Sequence, residues 1–194
     1  MEKVTFWDDE KRKVYAAASR VLMDEIYNMD ANYYNKNGNH FIRFVEHRLK
    51  TTESIAAKLK RKHKLYKNKP IEELLNDIAG VRVICFDTKQ INMIVNLLEQ
   101  SKKFKILKEK DYIKNPKDNG YQSYHMILSV DGVKVELQLR TILMDAWSSL
   151  ESILIYKKET PIPEKLQKDI RDFSKWSKKM DKMLERILEE SIKK

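Results

Sequence analysis

Between residues 47 and 69 the chain carries nine lysines and arginines and a single acid, Glu53. Ser54, Lys58, Arg61 and Lys62 stand at steps of four, three and one, so a helix there presents three or four of them on one face. With Arg48, Lys50 and Lys60 they would form a cationic ridge able to hold several phosphate oxygens. A solvated helix face looks the same, and spacing alone leaves both readings open. Two carboxylates form a second candidate. Asp77 lies just before an apolar run that starts at Val81, and Glu136 lies inside a run that alternates like a strand. If both reach one point they could hold a magnesium ion, which takes few protein oxygens and completes its shell with phosphates. Otherwise Asp77 caps a turn and Glu136 pairs with a lysine, although glutamate is disfavoured within a sheet. The third candidate is the loop tip Asn119-Gly120-Tyr121, followed by Ser123 and His125. Its tyrosine either stacks on a base or anchors the loop. His40, His47 and His63 lack metal-ligand spacing, and no Ser–His–Asp or Cys–His arrangement stands out.

These groups need elements to carry them. The pattern predicts helices over 7–30, 40–48, about 52–65, 89–101, 142–158 and 164–193, with a polar loop at 34–39. Pro70 closes the third, and Ile71 to Asn76 reads as a short helical turn. Strands are expected at Val81–Phe86 and Phe104–Leu107, with a loop over 111–121. Asp131-Gly132 between alternating runs is a two-residue hairpin signal, which pairs residues whose numbers sum to 263. One face then joins Val130 to Val133, Leu128 to Val135, Met126 to Leu137 and Tyr124 to Leu139. The other joins Ile127 to Glu136, His125 to Gln138 and Ser123 to Arg140, a patterned polar face suited to a polar ligand. Trp147, Trp176 and Met180 are assigned to the core. The fold class is α+β, a mixed and mostly antiparallel sheet flanked by helices.

The chain has 194 residues, enough for one domain with a small satellite. Its net charge of +10 implies an anionic partner: nucleotide, nucleic acid or membrane surface. The excess is local. Residues 47–69 contribute +8, residues 101–120 contribute +4, and the rest is slightly negative. No stretch is apolar enough to span a membrane, and the first residues lack the apolar core of a signal peptide. One cysteine, Cys85, makes no internal disulfide, so a reducing cytoplasm is expected. Four scattered glycines exclude a Walker A loop and a Rossmann fingerprint.

Taken together, HRLKTTESIAAKLKRK at 47–62, DIAGVRV at 77–83, KDYIKNPKDNGYQSYH at 110–125, VELQLRT at 135–141 and MDAWSSLE at 144–151 resemble the RelA/SpoT synthetase domain, in the family's order and spacing. The resemblance covers roughly residues 40–158. It implies a nucleotidyltransferase-like synthetase domain there, an N-terminal helical segment over 1–39 and a C-terminal one over 159–194, as in a small alarmone synthetase. It also implies magnesium-dependent transfer of the β,γ-pyrophosphate of ATP to the ribose 3′-hydroxyl of GDP or GTP. On matching positions, Arg48 and Arg82 look like the pair that sandwiches adenine, and Lys50, Ser54, Lys58, Lys60 and Arg61 like the ATP-phosphate ligands. Asp77 and Glu136 would bind magnesium, with Glu136 also placed to take the 3′-hydroxyl proton. Tyr121 resembles the tyrosine that stacks on the acceptor guanine. Lys110, Lys114 and His125 would meet acceptor phosphates, with Asn119 beside Tyr121 and Gln138 on the face of Glu136. KEKD at 108–111 is similar to the family's basic R-x-K-D form.

Two positions depart from the family. Gln122 and Ser152 stand where arginine and histidine are common, and both are expected on the acceptor side. They keep open a toxin-type relative that pyrophosphorylates the 3′-CCA end of tRNA and would need an antitoxin. A catalytically inactive RNA-binding regulator is the third reading. The amphipathic C-terminal helix permits a homo-oligomer, and small synthetases of this family are often tetramers.

Overall fold

The structure, a computed structural model, describes residues 7–63, 74–156 and 162–192, and of 61–63, 155, 156 and 192 the backbone only. The elements are α1 (Asp9–Asn37), β1 (Ile42–Leu49), α2 (Thr52–His63), β2 (Ala79–Cys85), α3 (Thr88–Gln100), β3 (Lys105–Asp111), β4 (Tyr124–Val130), β5 (Val133–Thr141), α4 (Ile142–Tyr156) and α5 (Glu164–Ile192). The strands form one sheet in the order β1-β2-β5-β4-β3. Among the described strands only β2 and β5 pair in parallel; the other pairs are antiparallel. The α+β mixed sheet expected from the pattern is what forms. The Asp131-Gly132 turn has φ of 49° and 82°, as a type I′ hairpin requires, and the pairing from Tyr124↔Leu139 to Val130↔Val133 is the expected one. Ser123 stands just before β4 and donates its hydroxyl to the Leu139 carbonyl at 3.0 Å.

Alternation gives the sheet its two faces. Val81, Val83, Met126, Leu128, Val135, Leu137 and Leu139 are buried on one side against Leu22 and Ile26 of α1 and Ile91, Ile94 and Leu98 of α3. Each fully buried aliphatic chain contributes about 1.5–3 kcal/mol relative to exposure. Cys85 belongs to this core, where burial pushes its thiol up. The opposite face carries the polar residues described below.

Several expectations are corrected. Residues 40–48 form a strand, not a helix: β1 pairs antiparallel with β2, and a bulge between Ile42 and Phe44 breaks the alternation that would have revealed it. Buried Asp30 fixes its entry by accepting from Phe41 N at 2.9 Å and Ile42 N at 3.1 Å. Residues 34–37 continue α1, because Gly38, at φ 74°, ends the helix by donating to the Tyr34 carbonyl. β3 runs on to Asp111 as a lysine-rich edge strand, a composition that deters edge pairing. Trp147 is buried, donating its indole N–H to the Ile170 carbonyl at 2.8 Å. Trp176 and Met180 are exposed on α5, so they are not core. Pro70 and the turn expected from Ile71 lie outside the described residues as far as 73.

Candidate active site

The register turns the polar face of the sheet into two rows. One crosses the strands as Glu46, Arg82, Gln138, His125 and Lys110. The next runs Arg48, Gly80, Glu136, Ile127 and Lys108. Gly80 offers no side chain, so the space between Arg48 and Glu136 stays open. A first cleft forms there, lined by Glu46, Arg48, Lys50, Asp77, Gly80, Arg82, Glu136 and Gln138. A second lies toward β3, lined by Lys58, Asp77, Lys108, Lys110, Tyr112, Lys117, His125 and Glu136. Asp77 and Glu136 alone among the described residues line both.

Asp77 leads into β2, and its Oδ2 takes Lys58 Nζ at 2.5 Å and Lys50 Nζ at 3.1 Å. Burial pushes its carboxyl up, but the Lys58 hydrogen bond and the two ammonium charges outweigh it and hold the carboxyl below the usual range. Glu136 Oε1 meets His125 Nδ1 at 3.3 Å, and its Oε2 accepts from Gln138 Nε2 at 2.8 Å. Burial again pushes up; His125 and Gln138 together hold this carboxyl below its usual range as well. Both are therefore carboxylates at neutral pH. Asp77 Oδ1 is buried without a hydrogen-bond partner among the described residues. No group of three or more His, Cys, Asp or Glu that could hold a metal occurs among the described residues. Two carboxylates with a free oxygen, at the junction of two clefts, suit a hard divalent cation that takes its remaining oxygens from phosphates or water.

Arg82 Nη1 lies 2.7 Å from Glu46 Oε1 and 3.7 Å from Asp145 Oδ1, and Arg48 lines the same cleft. The loop after β3 folds back over the second cleft. Tyr121 meets Tyr112, His125 and Trp147 edge-on, with Lys117 Nζ 4.6 Å from its ring centre. Its hydroxyl lies 2.7 Å from His125 Nε2.

The structure brings together Arg48, Lys50, Lys58, Asp77, Arg82, Lys110, His125, Glu136 and Gln138, with Tyr121 behind His125. Others are placed elsewhere. Ser54 and Lys60 line neither cleft; Ser54 shares a hydrogen bond with Thr51 at 3.1 Å, because α2 aims Lys58, not Ser54, at Asp77. The side chain of Arg61 is outside those described. Lys114 lines a separate cavity with Gln122, Met144 and Asp181. Asn119 shapes the loop, accepting from Tyr121 N at 3.1 Å and donating to Glu151 at 2.9 Å. Gln138 lines the first cleft and not the second, as the pairing with Arg82 dictates. Gln122 is buried against Ser174 at 2.9 Å and turns away from both clefts. Sequence reasoning missed Glu46, Tyr112, Lys117, Asp145 and Arg140. The hairpin register already placed Arg140 on the polar face, two residues beyond Gln138.

A family model described as a region found in RelA/SpoT proteins matches residues 47–161. The chain is 36% identical over 190 residues to the GTP pyrophosphokinase YwaC of Bacillus subtilis, covering 93% of this chain and 90% of that protein. It is 31% identical over 183 residues to the GTP pyrophosphokinase YjbM of the same organism, covering 89% and 84%. Among solved structures, small alarmone synthetase 2 from B. subtilis superposes with a TM-score of 0.84 at 35% identity, over 95% of this chain and 99% of that one. Small alarmone synthetase 1 from B. subtilis, bound to its product pppGpp, gives 0.80 at 30% identity, over 94% and 98%.

Proposed function

Because the chain belongs to the RelA/SpoT family, we propose that it is a small alarmone synthetase, a pyrophosphokinase that transfers the β,γ-pyrophosphate of ATP to the ribose 3′-hydroxyl of GDP or GTP to give (p)ppGpp. The observation that carries this reading is the pair Asp77 and Glu136, shared by two clefts in which seven lysines and arginines outnumber the two other acids, Glu46 and Glu109. Two polyphosphates bring roughly seven negative charges to one point, and that repulsion has to be offset. Lys50 and Lys58 at the junction, Arg48 and Arg82 on the donor side, and Lys108, Lys110 and Lys117 on the acceptor side do so.

ATP occupies the first cleft with its base between Arg48 and Arg82. The acceptor enters the second, with its base on Tyr121 and its phosphates toward Lys108, Lys110 and Lys117. Asp77 and Glu136 would hold magnesium, which would supply charge neutralisation on the triphosphate. Glu136, an acceptor-only carboxylate, takes the 3′-hydroxyl proton as the 3′-oxygen bonds to the β-phosphorus. The bond from that phosphorus to the α-phosphate oxygen breaks, and AMP leaves. The work is positioning and charge placement, as phosphoryl transfer demands.

Gln122, one of the two altered positions that opened the tRNA reading, lines neither cleft, so it leaves the nucleotide site intact. Trp176, Met180, Met183 and Ile187 form an exposed apolar stripe along α5, which supports self-association. Glu136→Gln and Tyr121→Ala test the site: each should abolish or nearly abolish (p)ppGpp formation while the circular dichroism spectrum is kept. Unchanged synthesis in either variant would refute the assignment.

A further inference from the structure

Arg140 is a buried arginine, 5% exposed, that touches neither cleft directly. Its Nη1 donates to Asp145 Oδ1 at 3.0 Å, and its Nη2 donates both to the Tyr121 hydroxyl at 3.0 Å and to Gln138 Oε1 at 3.1 Å. From there a closed ring of hydrogen bonds runs from Tyr121 to His125, to Glu136, to Gln138 and back to Arg140. The guanidinium carbon also lies 5.4 Å from the Tyr121 ring centre.

A guanidinium can only donate. That fixes the Gln138 amide: it presents Oε1 to Arg140, so its N–H faces Glu136. The Tyr121 hydroxyl accepts Arg140 on one lone pair and keeps its single proton, which closes the ring when it is directed at His125 Nε2, 2.7 Å away. A neutral imidazole that accepts at Nε2 carries its proton on Nδ1, where it donates to Glu136. Both Glu136 oxygens thereby receive donors from a chain that begins at one buried cation.

We propose that Arg140 is a positioning residue for pyrophosphate transfer: it sets the polarity of this ring, and so holds the Tyr121 ring, the His125 tautomer and the Gln138 amide in the one arrangement that directs two donors at Glu136. This rests on the function proposed above. Lysine at this position keeps the charge but lacks the planar fork that reaches Tyr121, Gln138 and Asp145 together.

The test compares the full-length wild type with Arg140→Lys, Tyr121→Phe and the double variant. Arg140→Lys should lower kcat/KM for the guanosine acceptor by about 30-fold, since a misplaced acceptor costs orders of magnitude in rate. Affinity for a non-hydrolysable ATP analogue, measured by calorimetry, should fall by no more than about fivefold, because Arg48, Lys50 and Arg82 still line the first cleft and only Gln138 and Asp145 lose their anchor there. The double variant should lose less than the product of the two single losses, because both changes cut the Arg140–Tyr121 bond. Nitrogen-15 NMR of the labelled histidines, four in the chain, should show His125 of the wild type as the Nδ1–H tautomer and a mixture in Arg140→Lys. If Arg140→Lys does not fold, Tyr121→Phe, which opens the ring beside an intact Arg140, should shift the tautomer in the same way. An Nε2–H tautomer in the wild type, multiplicative losses in the double variant, or equal losses of donor and acceptor affinity would overturn the proposal. A wild type with the stated tautomer that transfers nothing to guanosine nucleotides would instead refute the proposed function and leave the ring as a structural device, not a positioning one.

Discussion

Gly80 lies beside Glu136 in the parallel pairing of β2 with β5, and a Cβ built on it would come 3.7 Å from the Glu136 carbonyl oxygen. That is ordinary contact, so the backbone has no quarrel with alanine there. What the missing side chain provides is the floor of the cleft between Arg48 and Glu136. Gly80→Ala should fold with a Tm near that of the wild type, whereas Gly80→Leu should fill the cleft. Steady-state kinetics should show KM for ATP rising by about tenfold or more in the leucine variant, the loss of about 1.4 kcal/mol of donor binding, with acceptor KM little changed.

Gly120 is a different kind of glycine. Its φ is 95°, and a Cβ on it would lie 2.8 Å from Ser174 Cβ, a distance atoms of this kind do not sustain. The Ser174 hydroxyl donates to the Gly120 carbonyl at 2.5 Å, which ties the loop that carries Tyr121 to α5. Gly120→Ala should therefore cost about 2 kcal/mol or more through positive-φ strain and steric clash. Thermal denaturation should register the loss, and the acceptor KM should rise because Tyr121 is the next residue.

Asp181 is 2% exposed, with Oδ2 accepting from Thr141 at 3.0 Å and Oδ1 unpartnered among the described residues. Burial pushes its carboxyl up to about 6; the Thr141 hydrogen bond opposes this, and the charges of Glu185 and Asp87 add to it. The folded value lies above the unfolded one, so the folded state binds the extra proton, and stability is lost as pH rises through the window from 3.8 to about 6. At neutral pH the ionised group costs about 2–3 kcal/mol. Asp181→Asn should raise Tm at pH 8, and the advantage should shrink as pH falls below that window. Calorimetry at the two pH values checks it.

The hairpin was legible because Asp131-Gly132 fixes a register, and the register puts Glu136, Gln138 and His125 on one face without further information. The β1 strand was not, because one bulge makes Phe41, Ile42, Val45 and Leu49 look helical. The end of α1 was missed because Tyr34 to Asn37 are polar, while the residue that stops the helix is Gly38. Within the site, Lys58 and Ser54 occupy one helical segment, and periodicity cannot say which of them the helix aims at Asp77. Asn119, Lys114 and Gln122 lie in or next to a loop, where side-chain direction follows from backbone angles that composition does not encode. Trp176 and Met180 show the limit of an apolar stripe: it marks a face, but not whether this chain covers it.

If Asp77 and Glu136 join a donor cleft to a nucleotide acceptor cleft, the protein should label a guanosine acceptor when it is incubated with magnesium and ATP radiolabelled at the γ-phosphate and offered GDP, GTP, AMP and deacylated tRNA in turn. Label appearing in a guanosine nucleotide, and absent with Glu136→Gln, is the result predicted. Label in tRNA alone, or in none of the acceptors, would contradict it.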